Sequence, residues 1–128
     1  MKMVVRGIRG ATTVTANDAE QILRATEELV DQMVQLNEID PELVASIWIT
    51  MTEDLDAAFP ARAVRTIAGW ELVPIMCSVE IPVRGSLPQC IRVMLHVNTE
   101  MSQAEIQHVY LNEALQLRPD LISRNRTS

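Results

Sequence analysis

A chain of 128 residues is long enough for one hydrophobic core and too short for two, so residues 1–128 are read as a single domain. With 48% hydrophobic and 22% charged residues the composition is globular. Eleven basic against seventeen acidic residues leave a net charge of −6, which disfavours a nucleic-acid backbone or an anionic membrane surface as partner, because both select Lys and Arg. Ten of the eleven basic residues are arginine, Lys2 being the one lysine, a skew toward planar recognition of carboxylates or phosphates. Trp48, Phe59, Trp70 and Tyr110 are the only aromatics, so the core is aliphatic and base-stacking platforms are not expected. Cys77 and Cys90 are too few for a disulfide framework, and no His or Cys pair has zinc-like spacing, so no metal is expected. With no signal-like or transmembrane-length apolar run, the expectation is a cytoplasmic protein with reduced thiols.

Along the chain, Met3–Gly10 reads as an N-terminal strand in which Arg6 and Arg9, three apart, point to opposite faces. Asn17 with Glu20 predicts a capping box, followed by an amphipathic helix to about Leu36 with Ile22, Leu23, Thr26, Leu29, Val30, Met33 and Val34 on one face. Asp40-Pro41 then offers a cap and a first-turn proline, and Leu43–Met51, with Trp48 inside, reads as a buried strand. A shorter helix is predicted from Pro60 to Ala68, stopped by Gly69. Trp70–Cys77 returns as a strand whose Pro74 places it at an edge or a bulge, and Ile81–Pro88 is a loop. Gln89–Val97 alternates cleanly: Ile91, Val93, Leu95 and Val97 face the core, while Cys90, Arg92, Met94 and His96 face a cleft or an interface. Ser102 and Glu105 form a second capping box, after which the stretch through Tyr110 and Leu117 fits helix or strand equally. Residues 121–128 read as a mobile tail.

These elements compose an α+β domain: a mixed sheet of four or five strands with one long and one short helix on one face. Such a sheet leaves its other face uncovered, and at this size self-association is the natural cover.

Neither a phosphate-cradling glycine loop nor a nucleophile elbow is present, and the chemistry is arginine-centred. Arg62 and Arg65 share a helical face, for which a solvated basic surface is the bland reading. Arg92, set between apolar strand residues, needs an anionic partner or a ligand, and Glu80 is either that partner or a site carboxylate. Cys77, His96, His108 and Tyr110 are by residue type more often structural.

Taken in order, the blocks Arg6-Gly7-Ile8-Arg9-Gly10-Ala11-Thr12-Thr13, Ala58-Phe59-Pro60-Ala61-Arg62-Ala63-Val64-Arg65, Gly69-Trp70, Val73-Pro74 with Cys77 and Glu80, Cys90-Ile91-Arg92-Val93-Met94, and His108-Val109-Tyr110-Leu111 with Leu117-Arg118-Pro119-Asp120 resemble the monofunctional chorismate mutases of the trimeric pseudo-α/β-barrel type. The resemblance runs from Arg6 to Asp120. It implies a homotrimer with active sites at subunit interfaces, and rearrangement of chorismate to prephenate, in phenylalanine and tyrosine biosynthesis, without cofactor or covalent intermediate. Arg92 matches the cation beside the ether oxygen, and Glu80 and Cys77 match groups that hold the ring hydroxyl. Arg9 matches a carboxylate anchor with Tyr110 as its neighbour, Arg65 and Arg118 match further cations, and Phe59, Ala61, Val73 and Leu117 match apolar walls. Arg62 stands where the family carries lysine, and Met76 where it carries threonine, which removes a hydroxyl next to Cys77. A noncatalytic trimer binding a small carboxylate, and an imine deaminase on a similar trimeric architecture, are the alternatives; the first has no use for Arg92 beside Glu80, and the second, whose cleft also holds an arginine anchor, carries a different signature around it from Cys90-Ile91-Arg92-Val93-Met94.

Overall fold

The computed structural model describes residues 2–117, so Arg118 and the tail lie outside the described residues. Five strands form one mixed sheet: β1 (Val4–Thr13), β2 (Val44–Met51), β3 (Ile75–Val79), β4 (Cys90–Thr99) and β5 (Val109–Tyr110). Their spatial order is β3-β2-β4-β1-β5, with β4 antiparallel to both β1 and β2, and the edge pairs β2–β3 and β1–β5 parallel. Helix α1 (Ala19–Asn37) and the short α2 (Ala61–Arg65) pack against each other on one face. The expected α+β architecture is what forms.

The helix face is the core. Ile22, Leu29, Val30 and Met33 of α1 are buried against Ile8, Ile47, Ile49, Ile91, Val93 and Leu95, which the ladders place on the same side of the sheet. Gly10 makes the close approach possible, because a Cβ there would lie 2.5 Å from Met33 Sδ and 3.1 Å from Leu29 Cδ1. The first strand therefore runs through Gly10 to Thr13 rather than stopping at it.

Several boundaries correct the sequence reading. The cap of α1 is Asp18, which accepts from the Gln21 N–H at 3.0 Å; Asn17 is instead engaged by the loop at residues 56–57. Asp40 does cap, but it opens a 3-10 turn, Pro41–Leu43, before β2 begins. Trp48 is 43% exposed, so β2 buries only one face; its β-branched run masked the alternation. The second helix is one turn and a half, and residues 66–69 form a turn ending at Gly69 with φ +91°. Trp70 is buried but precedes β3, whose first residue follows Pro74; the proline keeps a ladder role through its carbonyl, which accepts from the Ile47 N–H. The ambiguous stretch resolves into a 3-10 turn capped by the Ser102–Glu105 box, the two-residue β5, and a second 3-10 turn, Asn112–Leu117. Among the described residues no helix is long and apolar enough to cross a membrane.

Candidate active site

The face of the sheet away from the helices holds Arg92, and strand register sets the layout around it. Ser78 pairs with Thr50, Thr50 with Arg92, Arg92 with Ala11, and Ala11 with Tyr110, so five strands contribute one row with Arg92 at its centre. Its neighbours on either side, Thr50 and Ala11, are small. The adjacent row is Met76, Trp48, Met94 and Arg9.

Glu80 follows β3 and is held by its N–H, which donates to the Met51 carbonyl at 2.8 Å. Its carboxylate takes the Thr50 hydroxyl, and Oε2 lies 3.6 Å from Arg92 Nε, both side chains being about three-quarters buried. At that distance the two are an ion pair without a hydrogen bond. Arg92 Nε and Tyr110 Oη are buried polar atoms with no hydrogen-bond partner among the described residues. Tyr110 packs with Ala11, Cys90 and Ala114, and Leu87 and Leu117 close this small cluster.

Arg92 is positioned from its own strand start. Asp54 accepts from the Gln89 N–H at 3.0 and 3.2 Å, which stabilises the left-handed φ of +49° at Gln89. Thr52 Oγ1 accepts from the Cys90 N–H, and Thr52 N–H donates to the Cys90 carbonyl. The Cys90 thiol stays protonated to higher pH than usual because burial outweighs the pull of the neighbouring Arg92 guanidinium. Arg9 is half-buried, and its N–H donates to His108 Nδ1 at 2.9 Å, so the ring proton resides on the other nitrogen.

The remaining expected residues gather elsewhere. A cavity of about 500 Å³ is lined by Leu55, Phe59, Arg62 and Cys77 together with Met51 and Val79, all beside α2. Register puts Met51, Cys77 and Val79 on the helix side of the sheet. The Cys77 thiol is raised by burial, against the opposing effects of the Ala61 backbone and the Arg65 charge. Phe59 is 73% exposed, Arg62 and Arg65 are exposed, Ala61 is buried, and Val73 is half-buried against the core. Met76 is 57% exposed beside Trp48 on the opposite face. The structure thus brings together Arg9, Glu80, Arg92, Tyr110 and Leu117 on one face, and Phe59, Ala61, Arg62, Arg65, Val73 and Cys77 on the other. Thr50 and Ala11, which flank Arg92, were missed, because only the register shows them.

Among the described residues no group of three or more His, Cys, Asp or Glu is placed to hold a metal ion. Fold and side-chain layout together define an α+β protein whose open sheet face carries Arg92 paired with Glu80. Residues 5–121 match the family model for chorismate mutase type I. Chorismate mutase AroH of Bacillus subtilis (strain 168) is 47% identical over 119 residues, covering 93% of this chain and 94% of that one. Its Thermus thermophilus counterpart is 50% identical over 121 residues, covering 94% and 98%. A solved chorismate mutase from Clostridium thermocellum superposes with a TM-score of 0.83 at 50% identity, covering 85% of this chain and 96% of that one. The chain belongs to the type I chorismate mutase family of isomerases.

Proposed function

We propose that this protein rearranges chorismate to prephenate, in the supply of phenylalanine and tyrosine, at sites formed between copies of the chain in a homotrimer. The observation that carries this is the buried Arg92 Nε, fixed beside Glu80 and without a hydrogen-bond partner among the described residues. A buried donor left unmade is destabilising by about 1–3 kcal/mol, which is offset when a substrate oxygen accepts from it.

Chorismate carries two carboxylates, a ring hydroxyl and an enolpyruvyl ether. In its rearrangement the ether C–O bond breaks ahead of the new C–C bond, so negative charge gathers on the ether oxygen. A guanidinium already held in place stabilises that charge more than the ground state, which lowers the barrier. Glu80 orients Arg92 and accepts from the ring hydroxyl. Arg9 and the Tyr110 hydroxyl hold a carboxylate, and Arg65, Arg62 and Arg118 add cations near the entrance. Phe59, Ala61, Val73 and Leu117 press the substrate into its folded, reactive conformer. Cys77 supplies its backbone or thiol to the hydroxyl; no covalent step is assigned to it, in keeping with a thiol held protonated. Met76 brings no hydroxyl to the substrate.

Two features support the shared site. The open face exposes Trp48 and Met76, large apolar groups that a second copy would bury. Side chains on opposite faces of one sheet cannot grip one small ligand, so the cluster around Cys77 and the cluster around Arg92 meet only when two copies adjoin. The test is loss of chorismate absorbance with purified protein, and identification of prephenate by acid conversion to phenylpyruvate. Turnover far above the spontaneous rate is expected; a folded protein without turnover would move the weight to a carboxylate-binding role.

A further inference from the structure

Asn17 is an exposed residue next to the cap of α1, yet its side chain makes three hydrogen bonds to a segment about forty positions away. Oδ1 accepts from the Asp56 N–H at 3.0 Å and the Ala57 N–H at 3.1 Å, while Nδ2 donates to Asp56 Oδ1 at 2.7 Å. The segment it grips connects β2 to α2. It is anchored at one end by buried Leu55, whose N–H donates to the Thr52 carbonyl, and at the other by buried Pro60 and the first turn of α2, where Phe59 and Pro60 carbonyls accept from Arg62 and Ala63. Among the described residues, the backbone N–H groups of Asp56 and Ala57 have these bonds to Asn17 and no others. The residues that follow at once, Ala58, Phe59 and Pro60, line the cavity with Arg62 and Cys77.

We infer that Asn17 is a positioning residue for the site: its amide clamps Asp56 and Ala57 and thereby sets where Phe59 and Arg62 stand in the cavity wall. This rests on the reading of that cavity as part of the chorismate site. Without the clamp the segment between Leu55 and Pro60 is an exposed loop with few fixed contacts, and such loops sample many conformers. Substrate must then select the one that places the Phe59 ring and the Arg62 charge, which weakens binding. Arg92 and Glu80 belong to other elements and keep their geometry, so the chemical step is spared.

The geometry also supplies a rescue. Asp at position 17 retains the two accepted backbone bonds but sets a second carboxylate against Asp56. Changing Asp56 to Asn as well returns a donor to the pair with the roles reversed. Steady-state kinetics on chorismate, with melting curves alongside, should show Asn17→Ala raising KM about tenfold with kcat within about twofold of the parent. Asn17→Asp should raise KM at least as far, and Asn17→Asp combined with Asp56→Asn should bring it back to within about threefold. An unchanged KM in Asn17→Ala, or a rise accompanied by an equal fall in kcat that the double variant does not relieve, overturns the assignment. Failure of the unmodified protein to turn over chorismate is a separate result: it removes the site reading itself, and this inference with it.

Discussion

Replacing Arg92 removes the one cation whose geometry the sheet fixes most closely. Its Nε lies 3.6 Å from Glu80 Oε2, and the side chain is 28% exposed, so the pair is partly shielded from water. A half to nearly full unit of charge growing on an ether oxygen about 3 Å from the guanidinium, at an effective dielectric near 20, is stabilised by about 3–5 kcal/mol. Since each 1.36 kcal/mol is tenfold in rate, Arg92→Ala should lower kcat by roughly three powers of ten, a loss of the size seen when a preorganised donor is removed. Alanine also leaves the Glu80 carboxylate with Thr50 alone, so the cleaner perturbation is citrulline, which keeps the planar shape and loses the charge. Turnover followed by chorismate absorbance at saturating substrate isolates kcat. The citrulline protein should be nearly as impaired as the alanine variant; kcat within about tenfold of the parent would refute electrostatic stabilisation as the main contribution of Arg92.

Cys77→Ala and Cys77→Ser should both retain substantial activity, and complete loss in a folded protein would show that a covalent step had been missed. Gly10→Ala should destabilise by about 1–3 kcal/mol, since the new Cβ would stand 2.5 Å from Met33 Sδ in a filled core; an unchanged melting temperature would mean that Met33 repacks freely. Folding holds the Cys77 and Cys90 thiols protonated beyond the ordinary thiol value of 9.0, so the unfolded chain releases those protons first. Their contribution is therefore full below that value and is lost as pH climbs past it, so the melting temperature should fall as pH rises above about 9. Cys90→Ala should flatten that fall, and an identical pH profile in the variant would contradict the assignment.

The parts of the fold that sequence reveals are those where periodicity and burial agree. In β4 every second residue is apolar, and the alternation of Ile91, Val93, Leu95 and Val97 with Arg92, Met94 and His96 is what the structure shows. The apolar stripe of α1 is equally plain. Trp48 misleads because a β-branched, aromatic run has the same composition whether one face or both are buried, and here an oligomer would cover what the lone chain exposes. Asn17 and Asp18 are equally good caps by residue type, and the choice between them is made by a loop forty positions away. Tyr110 sits in a strand of two residues paired in parallel with β1, a contact across about a hundred positions that leaves no local signature. The same holds for Thr50 and Ala11 beside Arg92: cross-strand neighbours follow from register, which no window of sequence contains. The arginines were visible as chemistry, and so was the opposite facing of Arg6 and Arg9 on β1, whereas the division that sets Arg62 and Arg65 across the sheet from Arg92 was not.

That division is tested most directly by mixing two damaged copies. Arg92→Ala spoils the open-face half of the site and Arg65→Ala the half beside α2. If each site combines one half from each of two neighbouring subunits, random trimers of an equal mixture contain about one interface in four with both halves intact, because that interface pairs the Arg65→Ala open face with the Arg92→Ala helix side. Co-refolded variants should then recover about a quarter of the parent kcat/KM per site, well above either variant alone. Recovery of that order is the predicted result. Mixed trimers no more active than the average of the two variants alone would place the whole site within one chain and contradict the account.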